Sequence, residues 1–313
     1  MVFSNTFSLD KKFETIRTQL EELYRNILER KPDEIGLNYW QNMILEKNIT
    51  IDDVKKEFYN SQEYEQLDQK YNFTNDKNTP RGFFDDYQRF FSTSKTVEHP
   101  NHLNGRFKAI IESNLNIIKD SSILDIASHD GRWSFAALKN GAKNVLGIEA
   151  RQHLVTNAND NMIAYGISPN SYRFIINDVH NEIKQLESNK FDIIFCLDFL
   201  YHTIDHWFLL SEIKRLNPKY VIIDTRIDPS NEKIIKLHVD YHEKEAHAFS
   251  TQSSKKKILV GTPSKSSLEM MLTCLGFTNF EYFDWKNKIK NFRNLVDYYH
   301  EKRITLVAHN PDN

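Results

Sequence analysis

Apolar residues in the first seventy positions recur at helical spacing: Phe13, Ile16, Leu20, Leu23, Tyr24 and Ile27 mark an amphipathic helix capped near Ser8. Pro32 and Asp33 open a second, carrying Ile35, Leu37, Trp40 and Ile44. A third starts at Thr50, where Asp53 completes a capping-box spacing ahead of Val54 and Phe58. The pattern predicts a bundle of three short helices over 1–70. Positions 69–81 are polar and read as a linker or long loop. Phe83, Phe84, Tyr87, Phe90 and Phe91 predict an aromatic helix, and Phe107, Ile110, Ile111 and Leu115 another, within a connecting region over 71–120. From Ser122 the rhythm changes. Apolar runs of strand length at 123–127, 145–148, 174–176, 191–197 and 220–223 alternate with amphipathic stretches, and two further runs follow at 277–283 and 304–308. Such alternation predicts an α/β domain over 121–313, a mostly parallel sheet covered by helices on both faces.

Composition narrows the function classes. The chain has 313 residues, 40% hydrophobic and 27% charged, enough for a sizeable core. Its 41 basic and 43 acidic residues give a formal net charge of -2, so no global field draws nucleic acid or an anionic membrane to it. The two cysteines, Cys196 and Cys274, lie in apolar runs and read as small buried hydrophobes, which excludes a disulfide framework. Neither a signal-like leader nor a membrane-length apolar run is present, and the expected compartment is cytoplasmic without membrane insertion. Nothing in the pattern fixes an oligomeric state.

An open parallel sheet binds ligands where its strands end. The first run ends Leu124-Asp125-Ile126-Ala127-Ser128-His129-Asp130-Gly131. This resembles motif I of class I S-adenosylmethionine-dependent methyltransferases, an acid followed by glycines at alternate positions. Asp125 matches the acid and Gly131 the last glycine, while Ala127 and His129 stand where the first two glycines are usual. The second run ends at Glu149, a carboxylate placed to accept both ribose hydroxyls, and the third at Asp178, which the resemblance sets near the adenine amino group. What the resemblance implies is a Rossmann-like methyltransferase fold with a final antiparallel strand, S-adenosylmethionine as cofactor, and cofactor-covering helices before the first strand. There Asn104 and Arg106 are within plausible reach of the cofactor's methionine carboxylate or an acidic acceptor.

The fourth run leads into Asp198-Phe199-Leu200-Tyr201-His202. In the family this segment borders the transferred methyl group, and Leu-Tyr-His is similar to a triplet in the transfer-RNA enzymes that form carboxymethyl or methoxy wobble uridines. His202 is the candidate base, Asp198 the alternative, and Tyr201 a pocket wall. After the fifth run, a 227–257 insertion holds His238, Asp240, His242, Glu243, Glu245 and His247. Two of its histidines are four apart, as two ligands on one helix face would be, but the stretch lacks a familiar zinc spacing, and a lid is the preferred reading. No metal is expected. Over 14–68 the chain resembles the phycobilisome-linker-like helical domain of unknown function, which implies a docking module. The acceptor expected is a small molecule or glycan. Transfer RNA stands second, and a non-catalytic binding protein that kept the fold stands third because of Ala127 and His129.

Overall fold

A computed structural model describes residues 3–28, 30–47, 49–70, 81–93, 100–241, 257–292 and 294–313. The chain divides into two compact units, Met1–Lys77 and Asn78–Asn313.

The first unit contains four described helices: α1 (Phe3–Ile27), α2 (Glu34–Glu46), α3 (Ile51–Tyr59) and α4 (Gln62–Lys70). The cap expected near Ser8 is not found, because α1 begins at Phe3 and runs through that position, whereas the starts read at Asp33 and Thr50 are both capped. The Asp33 carboxylate accepts the Gly36 amide at 2.8 Å, and the Thr50 hydroxyl and Asp53 carboxylate accept each other's backbone amides. The helix beginning at Gln62 adds to the expected three, because the Ser61 hydroxyl accepts the Tyr64 amide and restarts the helix after a break. Leu20, Tyr24, Leu37, Val54 and Phe58 close the core, with Tyr24 and Phe58 in an edge-to-face contact at 4.7 Å.

The second unit is built on a seven-stranded sheet of order β3-β2-β1-β4-β5-β9-β8. Its strands are β1 (Ser122–Ile126), β2 (Asn144–Glu149), β3 (Tyr172–Ile176), β4 (Ile193–Leu197), β5 (Tyr220–Arg226), β8 (Thr278–Tyr282) and β9 (Arg303–His309). Strands β3, β2, β1, β4 and β5 run parallel; β9 runs antiparallel to both β5 and β8. Neighbouring residues of β1 and β4 serve different cores: Ile123 and Phe195 one, Leu124 and Ile194 the other, all fully buried. Burial on both faces explains why these strands are continuous apolar runs. The chain runs outward from β1 through β2 to β3 and then crosses back to β4 on the other side of β1, so the strand order reverses there, the place where open α/β sheets bind ligands at their carboxyl ends. The register pairs Arg226 with Arg303, which brings the start of β9 to the same edge of the sheet.

The helices of this unit are α5 (Pro100–Ile110), α6 (Leu115–Ile118), α7 (Arg132–Lys139), α8 (Gln152–Ala164), α9 (Val179–Glu182), α10 (His206–Arg215), α11 (Lys265–Cys274), α12 (Trp285–Lys288) and α13 (Val296–Tyr299). The expected aromatic helix is instead two 3-10 turns, Phe83–Asp86 and Gln88–Phe91. Side chains take its first amides: Asp85 accepts from Gly82 N and Asn104 from Phe84 N. The aromatics pack inward, Phe83 stacking on Phe107 at 4.3 Å and Phe84 meeting Trp133 edge-on at 5.7 Å.

Part of the 227–257 insertion is a two-stranded antiparallel sheet, β6 (Ile235–Tyr241) with β7 (Lys257–Pro263). His238 and Asp240 therefore lie on a strand, not a helix face. The alternation Ile235, Leu237, Val239 against Lys236, His238, Asp240 is the period-two signal of that strand. His242, Glu243, Glu245 and His247 lie outside the described residues.

Candidate functional site

The loop after β1 keeps the glycine backbone without the glycines. Ala127 and His129 both have φ of 55°, and Gly131 has φ of 75°. All three motif positions are left-handed, a conformation that costs an L-residue roughly 1–2 kcal/mol. At Gly131 a side chain would also collide: a Cβ would lie 3.0 Å from both Ala158 and Phe174. The departure at positions 127 and 129 thus changes side chains while preserving the loop's path.

Carboxylates surround this loop. Asp125, 1% exposed, turns toward α7 and accepts the Ser134 hydroxyl at 2.6 Å. Burial pushes its pKa up to about 7, and nearby Glu149 and Asp130 add to the rise against the Ser134 hydrogen bonds. Its role is to anchor the loop from below. Glu149 stands at the end of β2, accepting the His129 amide at 3.1 Å, the Arg151 amide at 3.0 Å and the Arg151 guanidinium at 2.8 and 3.1 Å. Burial works against its charge, but Arg151 prevails and holds the carboxyl below its ordinary range. Those four donors match the roughly four lone-pair sites of a carboxylate. Any further donor to these oxygens has to displace one of the four. Asp178 caps α9 through the His180 amide at 2.9 Å, and the His180 ring meets Thr203 at 3.1 Å.

One residue of the loop was not singled out in sequence. Asp130 is fully buried, accepts the Arg132 guanidinium at 2.6 and 2.8 Å, and accepts the Thr93 hydroxyl at 2.7 Å. Asn161 of α8 donates to the Asp130 carbonyl, and Arg89 donates to Asn161. The aromatic turns are tied to the loop through this chain of contacts.

Beyond β4 and β5 lies a second polar cluster. Asp224 is fully buried and accepts from Arg106 at 3.0 Å, Arg303 at 2.8 Å, Tyr298 at 2.9 Å and Thr305 at 2.6 Å. Asp198, its side chain 35% exposed, receives the other Arg106 nitrogen at 2.5 Å, the Tyr201 hydroxyl at 3.0 Å and Arg303 Nη1. Two guanidiniums and two carboxylates share one network. Burial alone would lower the arginine pKa values, but Asp198 and Asp224 keep both guanidiniums charged. Burial would likewise raise Asp198, and the two arginines instead hold it well below the usual carboxylate range. So gripped, Asp198 is a poor proton acceptor, which argues against its use as the alternative base. Tyr201 is part of the network rather than a passive wall, since it also accepts from Arg303 at 2.9 Å. The His202 ring packs on Tyr201 at 4.2 Å in the 3-10 turn Leu200–His202.

Helix α5 connects the two clusters. Arg106 lies over the Trp133 ring of α7 at 5.0 Å while holding both acids. Its Nε, and Nδ1 of His102 one turn earlier, are buried without a hydrogen-bond partner. Burial, then Arg106, push His102 down to about 3, so its ring is neutral. Asn104 serves a different purpose from the one expected: its amide accepts from Phe84 and donates to Asp85 at 2.7 Å, so both ends are committed to the 82–85 turn. Arg303, Tyr298 and Thr305 carried no sequence signal, because they reach the cluster from β9 and α13. Asp224 did carry one, an acid closing an apolar run.

Residues 124–219 match a methyltransferase domain, and residues 2–67 match a domain of unknown function, DUF4214. The phycobilisome-linker likeness has no further support beyond that match. A tRNA U34 carboxymethyltransferase of Nautilia profundicola is 30% identical over 141 residues, 43% of this chain and 43% of that protein. The chain thus matches less than half the length of this curated relative. Among solved structures, the N-terminal domain of EvdMO1, crystallised with SAH and D-fucose, aligns at TM-score 0.50 and 18% identity over 68% of this chain and 84% of that one. A protein of Pyrococcus horikoshii aligns at TM-score 0.47 and 16% identity, over 72% and 98%. The segment 124–219 is thus similar to a methyltransferase domain, and it sits on a Rossmann-like sheet. Among the described residues, no helix is long and apolar enough to cross a membrane.

Proposed function

We propose that this cleft binds S-adenosylmethionine and transfers its methyl group to a small-molecule or glycan-type acceptor at oxygen or nitrogen. The observation that carries the reading is the left-handed run at Ala127, His129 and Gly131 beneath Glu149, a loop shaped for close approach by a nucleoside.

The fit to the cofactor rests on the chain's own groups. Glu149 would take the ribose diol once Arg151 swings aside. Arg106 Nε, a buried donor, and His102 Nδ1, a buried nitrogen of a neutral ring, lie one helical turn apart and are the unpartnered groups assigned to an amino-acid end. When bound, the cofactor supplies an electrophilic methyl on a sulfonium. The protein's work is to align the acceptor with it and remove the acceptor's proton. His202, beside Tyr201 at the end of β4, is the group assigned to that proton, since Asp198 is neutralised by arginines. The first unit, matched by DUF4214, is assigned to docking of the acceptor or a partner.

Transfer RNA is the second reading, favoured by the relative from Nautilia profundicola. The whole protein incubated with methyl-labelled S-adenosylmethionine and separated pools of metabolites, glycans and RNA decides between them. Label in the metabolite or glycan pool is expected. Label confined to RNA moves the assignment to the second reading, and saturable cofactor binding with no label in any pool favours a non-catalytic binding protein. A His202→Gln variant with full turnover at every pH would remove that histidine from the mechanism.

A further inference from the structure

Asp198 has φ of 59°, the left-handed region that favours glycine, and it sits where β4 delivers the chain to the reaction cleft. Its side chain stays partly open while its carboxylate receives Arg106, Arg303 and Tyr201. Asp224 already satisfies the same two arginines from below, out of contact with solvent. Arg106 Nη1 and Arg303 Nη1, the latter also bonded to Asp224, meet the Tyr201 hydroxyl at one carboxylate-sized seat, and the chain fills it with its own Asp198.

We propose that Asp198 is a specificity-determining residue: it occupies an anion seat beside the transferred group and restricts the enzyme to donors whose transferred carbon is uncharged. This rests on the cofactor reading above and deepens it. A carboxymethyl group on the sulfonium would present the same two-oxygen fork that a guanidinium and a tyrosine hydroxyl recognise. With Asp198 in place, that fork meets a carboxylate instead of the arginines. Two like charges forced together beside the transferred group oppose binding. The curated relative is named for carboxymethyl transfer; this chain is assigned to methyl transfer alone.

The test uses three probes on the full chain: S-adenosylmethionine, its analogue bearing a carboxylate on the transferred methyl, and acetate. By calorimetry the native protein is expected to prefer the uncharged donor by on the order of 100-fold. The Asp198→Gly variant, which suits the backbone at that position, is expected to bring the two donors within about tenfold of each other. Millimolar acetate should raise the melting temperature of this variant and leave the native protein unchanged, because acetate refills the seat. Equal binding of both donors by the native protein overturns the proposal, as does a folded Asp198→Gly variant indifferent to acetate. Asp198→Ser replaces it if the glycine variant does not fold; if neither folds, the native donor preference alone decides. Failure of the native protein to bind either donor sinks the cofactor reading, while the acetate response still reports on the seat.

Discussion

Replacing Asp125 by asparagine removes a carboxyl that burial holds at a pKa of about 7 in the folded chain, against an ordinary value of 3.8. A raised carboxyl pKa means that the folded state keeps a proton the unfolded state has released. Stability contributed by this group is therefore present below pH 4 and lost as pH climbs from about 4 to about 7, after which it is flat. Across that window, at 1.36 kcal/mol per pH unit, the loss comes to at most about 4 kcal/mol. Asparagine is nearly isosteric, retains an oxygen for the Ser134 hydroxyl, and has no charge to bury. The Asp125→Asn variant should lie within about 1 kcal/mol of the native protein near pH 4.5 and become the more stable of the two by a wider margin near pH 8. Urea unfolding monitored through the α/β unit at a series of pH values measures the difference directly, and the other titrating groups cancel in it. A difference that stays constant from pH 4.5 to 8 would refute the assignment of a protonated, loop-anchoring carboxyl to this position.

Other consequences follow from the two clusters. Arg303→Met should destabilise the α/β unit by about 3–5 kcal/mol in chemical denaturation, because it strips both Asp198 and Asp224 of a charged partner. Arg151→Ala should tighten cofactor binding by up to about tenfold in calorimetry, since the Glu149 oxygens no longer have to be released from a guanidinium. Ala127→Gly relieves a left-handed alanine at the cost of unfolded-chain entropy, so its melting temperature should equal or slightly exceed that of the native protein. A clear fall at that position would mean the alanine methyl has a packing role.

The sheet was legible because parallel strands buried on both faces are written as unbroken apolar runs, and the acids stand at or near the ends of those runs. Asp125, Gly131 and Glu149 follow from that rule together with motif spacing. Their division of labour did not: only the side-chain contacts show Asp125 anchoring from beneath while Glu149 faces the loop through the His129 amide. The Arg106, Asp198, Asp224 and Arg303 network joins α5, β4, β5 and β9, positions distant in sequence whose meeting depends on the antiparallel return of β9. Local pattern carries no information about such a pairing. Strand β6 was different: its alternation stands in the sequence, but the 227–257 stretch was read as a lid without assigning it a strand. The aromatic stretch is two 3-10 turns rather than one helix because the backbone leaves helical geometry at Tyr87, where φ is -127° and ψ 60°, a break that hydrophobic spacing does not reveal.

The central claim is that the cleft above β1 and β2 grips a nucleoside through Glu149. Titration of the full chain with S-adenosylhomocysteine, native against Glu149→Ala, tests it most directly. Saturable one-site binding by the native protein is expected, weakened about 10- to 100-fold in the variant, the range for one charged hydrogen-bond acceptor. No saturable heat from the native protein, or equal affinity in the two, would contradict the account.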